Sequence, residues 1–227
     1  MAATDWRQAT VARIRPETPR AATMTLDVPD WHGHRAGQHV DVRLTADDGY
    51  QAQRRYSIAS APEDGPPQIT VVEVDMGEVS PWMVSVARED DVFEVRGPFG
   101  GWFVWEPTMA GEVLMIGGGS GLVPLMSMLR AGAPARLLVS AREPDDVLYL
   151  EELRKRDLDV TFTYTRWAPR EWTGYTRRVD YAMLREWAGS PGPRVYVCGP
   201  TAFVESVAND LVALGHDAGN IRTERFG

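Results

Sequence analysis

Over the first half of the chain, apolar and polar positions alternate in short stretches, which is the two-residue period of a β-strand. Turn-forming pairs such as Asp48-Gly49 and Gly97-Pro98 separate these stretches. The pattern predicts a small antiparallel barrel of six strands, with a capping helix over Val79–Ala87. The predicted strands are Gln8–Ile14, Ala22–Val28, His39–Leu44, Tyr56–Ala59, Gln68–Val74 and Val92–Arg96.

After Pro107 the pattern changes to strands that alternate with helices, which is typical of a parallel sheet built from crossover units. The sequence therefore predicts a barrel domain over residues 1–107 and a parallel-sheet α/β domain over residues 108–227. The predicted strands are Glu112–Ile116, Ala135–Ser140, Asp159–Tyr164, Arg194–Cys198 and Ile221–Thr223. The predicted helices are Val123–Arg130, Leu148–Arg156, Tyr181–Trp187 and Ala202–Leu214.

Composition and charge exclude several functions. The formal charge of -8 over 227 residues gives no cationic surface for nucleic-acid phosphate. Cys198 is the only cysteine, so the chain has no internal disulfide and no iron–sulfur cluster held by its own thiolates. His32, His34 and His39 lie on a short segment without a cysteine or a carboxylate cluster nearby, and we expect no metal site there.

The sequence also bears on location. Charged residues interrupt the first thirty positions, which therefore do not have the apolar stretch of a secretory signal. Four glycines and Pro124 break the longest uncharged run, Val113–Leu129, so a strand, a turn and a helix start explain it better than a membrane span. We expect a cytoplasmic protein with no membrane partner.

Residues 116–124 read Ile-Gly-Gly-Gly-Ser-Gly-Leu-Val-Pro and lie between a predicted strand and a predicted helix. Glycines let the backbone turn sharply and approach a pyrophosphate at a helix N-terminus, so this segment predicts a dinucleotide cradle. It is neither the Rossmann fingerprint nor a nucleophile elbow, because Leu122 stands where each requires glycine. A glycine turn that binds nothing is the alternative.

Residues 54–60, Arg-Arg-Tyr-Ser-Ile-Ala-Ser, combine a guanidinium, a phenol and two hydroxyls on extended chain. On a strand, Arg54, Tyr56, Ile58 and Ser60 share one face. That face offers an aromatic ring for stacking and an arginine for phosphate. A solvated basic edge strand is the alternative.

Taken in order, the motifs resemble those of the ferredoxin–NADP reductase superfamily. The resemblance runs from about residue 5 to the end of the chain. It rests on Arg54-x-Tyr56-Ser57-x-x-Ser60, Gly77-x-x-Ser80, Gly97-Pro98-Phe99-Gly100, Gly117-x-Gly119-x-Gly121-x-x-Pro124, Cys198-Gly199-Pro200 and a terminal Phe226. Five ordered motifs at suitable spacing are far more specific than any one of them.

The resemblance implies that the barrel binds a flavin. Arg54 would pair with the flavin phosphate, Tyr56 would lie against the isoalloxazine ring and Ser57 would hydrogen-bond near the flavin N5, with Ser60 in the same motif. Gly77 and Ser80 would form the pyrophosphate site, which favours FAD, while FMN stays possible.

The same resemblance implies that backbone groups of Val72, Glu73 and Val74 line the flavin. Both valines have an alternative role, since either could simply belong to the barrel core.

For the second domain the resemblance implies a nicotinamide-dinucleotide site. Gly117, Gly119 and Gly121, with Ser120 and Pro124 in the same segment, would cradle the phosphates. Cys198-Gly199-Pro200 would lie beside the nicotinamide, and Glu224 and Phe226 belong to a terminal segment whose aromatic covers the flavin. Ser57, Cys198, Glu224 and Phe226 are thus the candidate catalytic residues. Plain packing of Cys198 and a frayed terminus are the alternatives.

Two arginines favour NADPH over NADH. Arg142 follows the second predicted strand of the α/β domain, and Arg166 follows the third. In related NADP-dependent reductases a hydroxyl residue and an arginine in this region bind the 2′-phosphate. Glu143 keeps NADH possible, because an acid in this region binds the ribose 2′-hydroxyl.

The resemblance therefore predicts an FAD-containing, NAD(P)H-dependent reductase without an iron–sulfur domain. It would transfer hydride from NADPH or NADH to FAD and pass electrons to a separate protein, such as a ferredoxin, an oxygenase component or a molybdenum enzyme. The candidates for the docking face are Trp102, Trp105, Trp167 and Trp172. Core or rim packing is the alternative for each of them. The alternatives are a flavin reductase that uses free flavin as substrate and a non-catalytic redox-sensing subunit.

Overall fold

The computed structural model describes residues 5–109 and 111–226, and the chain divides into two compact units. The first unit extends to Glu106 and also contains Met126–Ala131, while the second contains Pro107–Leu125 and the residues from Gly132 onward. Because Met126–Ala131 groups with the first unit, the domain boundary between residues 107 and 108 stays a prediction.

The first unit contains a six-stranded antiparallel sheet, as the sequence predicts. The strands are β1 (Arg7–Thr18), β2 (Ala21–Asp27), β3 (His39–Thr45), β4 (Gln51–Ser57), β5 (Gln68–Val72) and β6 (Val92–Phe99). Their order is β4-β3-β6-β1-β2-β5, and an isolated bridge between Ile58 and Ile69 links the two outer strands into a barrel. Alternate residues of the strands fill the core, among them Val11, Met24, Val42, Ile69 and Val95.

Two barrel elements differ most from the prediction, and β1 and β6 also extend beyond their predicted ends. β4 begins at Gln51 rather than at Tyr56, because the polar stretch before Tyr56 pairs with β3 along its whole length, from His39 opposite Ser57 to Thr45 opposite Gln51. Backbone pairing across a hairpin does not need apolar alternation, so the sequence pattern missed it. The capping helix shrinks to a single π-helical turn, Trp82–Val86, after Pro81.

The second unit is a parallel five-stranded sheet with helices in the connections. The strands are β7 (Val113–Gly118), β8 (Ala135–Ala141), β9 (Val160–Tyr164), β10 (Arg194–Pro200) and β11 (Ile221–Phe226). The helices are α2 (Leu150–Lys155), α3 (Tyr181–Trp187) and α4 (Thr201–Ala213), together with the first part of α1 (Leu122–Arg130), whose later residues group with the first unit.

The strand order β11-β10-β7-β8-β9 reverses direction between β7 and β10. β7 is apolar along its length and buried, as expected for a central parallel strand. Open α/β sheets bind ligands at the carboxyl ends of the strands where the order reverses. Among the residues the structure describes, no helix combines the length and apolar character needed to cross a membrane.

Candidate functional site

β4 presents a cation and an aromatic ring on one face. The Arg54 side chain is 52% exposed and donates one hydrogen bond to Glu78 Oε2 at 3.2 Å and another to the Gln53 carbonyl at 2.7 Å. Tyr56 is half-buried and packs against the barrel core. Burial raises the pKa of the Tyr56 phenol well above its ordinary value, so it stays protonated. The strand thus offers an exposed guanidinium beside a half-buried ring.

Ser57 lies on the opposite face of β4 and is an unsatisfied hydroxyl. It is 4% exposed, and its Oγ has no hydrogen-bond partner among the described residues. A buried polar atom without a partner costs about 1–3 kcal/mol, so such an atom in a native protein indicates that a ligand or water completes it. A flavin nitrogen would complete it, and the residues on β4 therefore fit the cofactor that the sequence predicts.

His39 is the cross-strand neighbour of Ser57 on β3. Burial, and then the nearby Arg55 guanidinium, lower the pKa of His39 to about 4, while Asp41 acts in the opposite direction. The imidazole is therefore neutral at pH 7. The face that carries Ser57 thus presents a neutral ring, a hydroxyl and the Arg55 guanidinium, while the opposite face carries the Arg54 cation.

Ser60 plays a structural part in the barrel. It is fully buried, and its Oγ accepts a hydrogen bond from the Gln68 backbone N–H at 3.0 Å. Its carbonyl oxygen lies 3.0 Å from His34 Nε2 and accepts a hydrogen bond from Ser127 Oγ at 2.6 Å. These contacts fix the chain between β4 and β5, and the predicted contact of Ser60 with a cofactor stays a prediction.

The segment after β5 folds into a compact turn. The Val74 N–H donates to Ser80 Oγ at 3.0 Å, and the Gly77 N–H donates to the Val74 carbonyl at 3.0 Å. A Cβ on Gly77 would lie 3.0 Å from that carbonyl, so a larger residue would crowd the turn. The Glu73 N–H donates to the Arg20 carbonyl. The alternative placement in the barrel core is wrong for Val74, which is 61% exposed.

The glycine segment forms a tight corner between β7 and α1. A Cβ on Gly121 would overlap the Cys198 carbonyl of β10, so this glycine allows two backbones to approach at the reversal of the strand order. Gly119 adopts φ +56° and has open space around it. Ser120 lies half-buried between them, and Pro124 is buried in the first turn of α1, where a missing N–H costs little.

The residues predicted to lie beside the nicotinamide come together at the same edge of this sheet. Cys198 pairs in register with Gly117 on β7 and with Glu224 on β11, and Pro200 pairs with Phe226. Burial, and then the Glu224 carboxylate, raise the pKa of the Cys198 thiol well above its ordinary value, so it stays neutral.

The alternative of a frayed terminus is wrong for Phe226, because the strand that was predicted to end at Thr223 continues to it. Gly227 lies outside the described residues.

Arg142 and Arg166 lie side by side at the carboxyl ends of β8 and β9. The Arg166 N–H donates to the Arg142 carbonyl at 2.9 Å, and the Thr165 N–H donates to the Ala141 carbonyl. Both arginines are exposed, and neither side chain makes a hydrogen bond or ion pair with a described residue. Two unengaged guanidiniums at a strand end form a suitable phosphate site.

Three contacts were not predicted from the sequence. Glu78 pairs with Arg54, and His39 lies opposite Ser57. The Phe203 ring packs against Gly118 and Gly199, 3.0 Å and 2.9 Å from where a Cβ would stand. Of these contacts, only the one made by Glu78 could have been suspected from the sequence, because Glu78 lies inside the Gly77–Ser80 motif. Of the tryptophans considered for docking, Trp105 is buried in the fold, whereas Trp102 and Trp167 are each more than half exposed.

Family models match both halves of the chain. The oxidoreductase FAD-binding domain matches residues 11–104, and the oxidoreductase NAD-binding domain matches residues 115–209. Ferredoxin–NADP reductase B of Sorangium cellulosum is 32% identical, over 96% of this chain and 97% of that protein. The glycine betaine monooxygenase reductase subunit of Pseudomonas aeruginosa is 31% identical over 92% of this chain, which spans about 60% of that relative's length.

Solved structures share the fold. A ferredoxin–NADP+ reductase from Neisseria gonorrhoeae, solved with bound FAD and NADP, superposes with a TM-score of 0.83 at 18% identity, covering 97% of this chain and 98% of that one. The FAD/NAD-binding domain of nitric oxide dioxygenase from Vibrio cholerae gives 0.84 at 20% identity, with 97% and 98% covered. With two matching domain models and a full-length relative, the chain belongs to the ferredoxin–NADP reductase superfamily of flavoprotein oxidoreductases.

Proposed function

We propose that the chain is an NADPH-dependent reductase whose barrel holds FAD and which passes electrons to a separate protein. The observation that carries this proposal is the buried, unsatisfied hydroxyl of Ser57 beside Tyr56 and Arg54 on β4. When bound, FAD supplies the ability to accept hydride from a nicotinamide and to release electrons one or two at a time. The protein supplies binding, orientation and electrostatics.

In the barrel, each residue has one task. Arg54 binds the flavin phosphate through its exposed guanidinium, and the Tyr56 phenol lies against the ring system. The Ser57 hydroxyl completes its hydrogen bonding with a ring nitrogen. The turn from Val74 to Ser80 provides backbone groups close to the phosphates. This division suits a cofactor that is charged at one end and flat at the other.

In the α/β unit, backbone and cations share the binding of the nucleotide. The corner from Gly117 to Gly121 binds the pyrophosphate through its backbone N–H groups, beside the open space at Gly119. Arg142 and Arg166 bind the 2′-phosphate, which distinguishes NADPH from NADH. Cys198 keeps its proton and does not act as a nucleophile. It packs beside the nicotinamide at the end of β10.

The acceptor is proposed from relatives of this chain. Among them are reductase subunits of monooxygenases and a ferredoxin–NADP reductase. The chain has one cysteine and so does not hold an iron–sulfur cluster with its own thiolates. By analogy with these relatives, we propose that a ferredoxin or an oxygenase component receives the electrons.

Purification of the chain, followed by reconstitution with FAD, tests this proposal. We expect visible flavin absorbance at one FAD per chain, and bleaching on addition of NADPH without oxygen. A folded protein that shows no visible absorbance and takes up neither FAD nor FMN would overturn the proposal.

The choice of NADPH is tested on the two arginines. Replacement of both Arg142 and Arg166 by alanine is expected to raise the KM for NADPH about 10- to 100-fold, because two charge-assisted contacts to the 2′-phosphate are lost. The KM for NADH should stay within about twofold. Arg170→Ala is the control, since it removes another exposed arginine of the same loop. Equal losses with both nucleotides would contradict the NADPH assignment.

A further inference from the structure

The barrel carries a polar cavity of about 210 Å³ that the proposed function does not use. Side chains of β1, β2 and β5 line it, and they are Arg13, Arg15, Thr23, Thr25 and Gln68. They point away from the barrel core, because Ile14, Met24 and Ile69, which alternate with them along the strands, pack into or against that core. All five side chains can donate hydrogen bonds and two of them are cations, so the cavity suits a small anion that accepts hydrogen bonds.

Strand pairing arranges the outward side chains in two rows that cross β1, β2 and β5. The first row consists of Arg13, Thr25 and Gln68, and the second row consists of Arg15, Thr23 and Thr70. Side chains directly opposite each other on neighbouring antiparallel strands stand about 5 Å apart at Cβ. The three side chains of one row can therefore contact the same small ligand.

The second row is held by contacts within the barrel. Arg15 Nη2 lies 2.7 Å from Glu17 Oε1, and the Thr23 hydroxyl donates a hydrogen bond to the same oxygen at 2.6 Å. The Thr23 and Thr70 hydroxyls lie 2.7 Å apart. The Glu17 side chain is only 4% exposed, and Arg15 balances its charge directly. The second row therefore supports the sheet and leaves ligand binding to the first.

The side chains of the first row make no hydrogen bond or ion pair with any residue that the structure describes. Arg13 is exposed, and Gln68 uses only its backbone groups, whose N–H donates to Ser60 Oγ. Asp27, the next outward residue of β2 after Thr25, lines a separate cavity and forms no ion pair with Arg13. The first row thus offers an unpaired guanidinium, a hydroxyl and an amide on one side of the cavity.

We propose that the first row binds a small oxyanion, the phosphate or carboxylate group of a free small molecule. The Arg13 guanidinium presents parallel N–H groups to two oxygens of such an anion, and the Thr25 hydroxyl and Gln68 amide donate to its other lone pairs. This site is independent of the proposed function, because no residue of the first row belongs to the flavin or nucleotide motifs.

Calorimetric titration of the full chain with inorganic phosphate and with succinate, at constant ionic strength, tests the site. The titrations are made on the chain as purified and again after saturation with FAD, which occupies the phosphate site proposed at Arg54. Arg13→Ala is expected to raise the dissociation constant about tenfold or more, because a charge-assisted contact is lost. Gln68→Ala removes a neutral donor and should raise it about two- to tenfold. Arg55→Ala, another exposed arginine of the barrel, is the control and should change it less than about twofold.

A loss of affinity confined to Arg13→Ala and Gln68→Ala supports the site, and the anion that binds more tightly identifies the group it takes. A wild-type chain that binds neither anion, or equal dissociation constants for the wild type and Arg13→Ala, would overturn the proposal. Phosphate bound at Arg142 and Arg166 is common to all variants and does not change between them. Circular dichroism shows whether each variant folds, and if Arg13→Ala does not fold, the comparison of Gln68→Ala with Arg55→Ala decides.

Discussion

The glycine corner after β7 and strand β4 of the barrel are both expected to bind a phosphate-bearing cofactor, yet they are built differently. In the corner the backbone forms the site, and Gly121 approaches the Cys198 carbonyl so closely that no Cβ fits. On β4 side chains form the site: an exposed guanidinium, a half-buried ring and a buried hydroxyl without a partner.

The difference determines how each site responds to change. A backbone site is part of the fold, so a substitution there lowers the stability of the protein before it lowers affinity. A side-chain site is carried by a strand that forms without it, so a substitution there lowers affinity and leaves the fold intact. The following predictions test that contrast.

The largest effect is expected at Gly121. Gly121→Ala forces a Cβ into the backbone of β10 and is expected to lower the free energy of unfolding by more than about 3 kcal/mol. A Cβ at position 119 would have open space around it. Gly119→Ala is therefore expected to lower the free energy of unfolding by only about 1–2 kcal/mol, which is the cost of a side chain at a φ of +56°. Urea unfolding of both variants checks the difference. Similar losses for the two would show that the close approach to β10 is not what requires glycine.

Next comes Arg54. Arg54→Ala is expected to weaken flavin binding about 10- to 100-fold, because a charge-assisted phosphate contact is worth about 1.5–3 kcal/mol. The melting temperature of the flavin-free protein should change little, since the ion pair with Glu78 is exposed. Arg55→Ala, on the opposite face of β4, is the control. Flavin titration that gave equal losses for both arginines would contradict a phosphate role specific to Arg54.

His39 gives the barrel site a pH dependence. Its pKa falls from an ordinary 6.5 to about 4 in the folded protein, so the unfolded chain binds more protons between these values. Stability is therefore full above pH 6.5 and is lost as the pH falls toward 4, by about 2 kcal/mol once partial exposure is allowed for. Denaturation of His39→Gln at pH 7 and pH 4.5 should show a smaller difference than the wild type. An unchanged difference would place the titration on other groups.

The smallest effect is expected at Ser57, and its sign depends on the flavin. Ser57→Ala removes a buried hydroxyl without a partner, so the flavin-free protein should gain up to about 1 kcal/mol. The same variant should bind flavin about fivefold more weakly. Ser60→Ala is the opposite control, since it removes the acceptor of the Gln68 N–H and should cost about 1 kcal/mol. A loss of stability in flavin-free Ser57→Ala would mean that the hydroxyl already has a partner.

Much of this protein follows from the order of its residues. Alternation over two residues predicted the barrel, and the switch to strand–helix alternation predicted the parallel sheet. The glycines at 117, 119 and 121 predicted a tight corner. These features are local, because a strand period, a helix start and a glycine turn each depend on neighbouring residues.

The tertiary structure decided which distant residues meet. Strand order placed Cys198 between Gly117 and Glu224, and hairpin pairing placed His39 opposite Ser57 and extended β4 through a polar stretch. It also placed the Ser60 hydroxyl where it accepts a hydrogen bond from the Gln68 N–H, within a motif that the family resemblance assigned to a cofactor. Such contacts depend on register and packing between segments far apart in the chain, and local pattern carries no information about them.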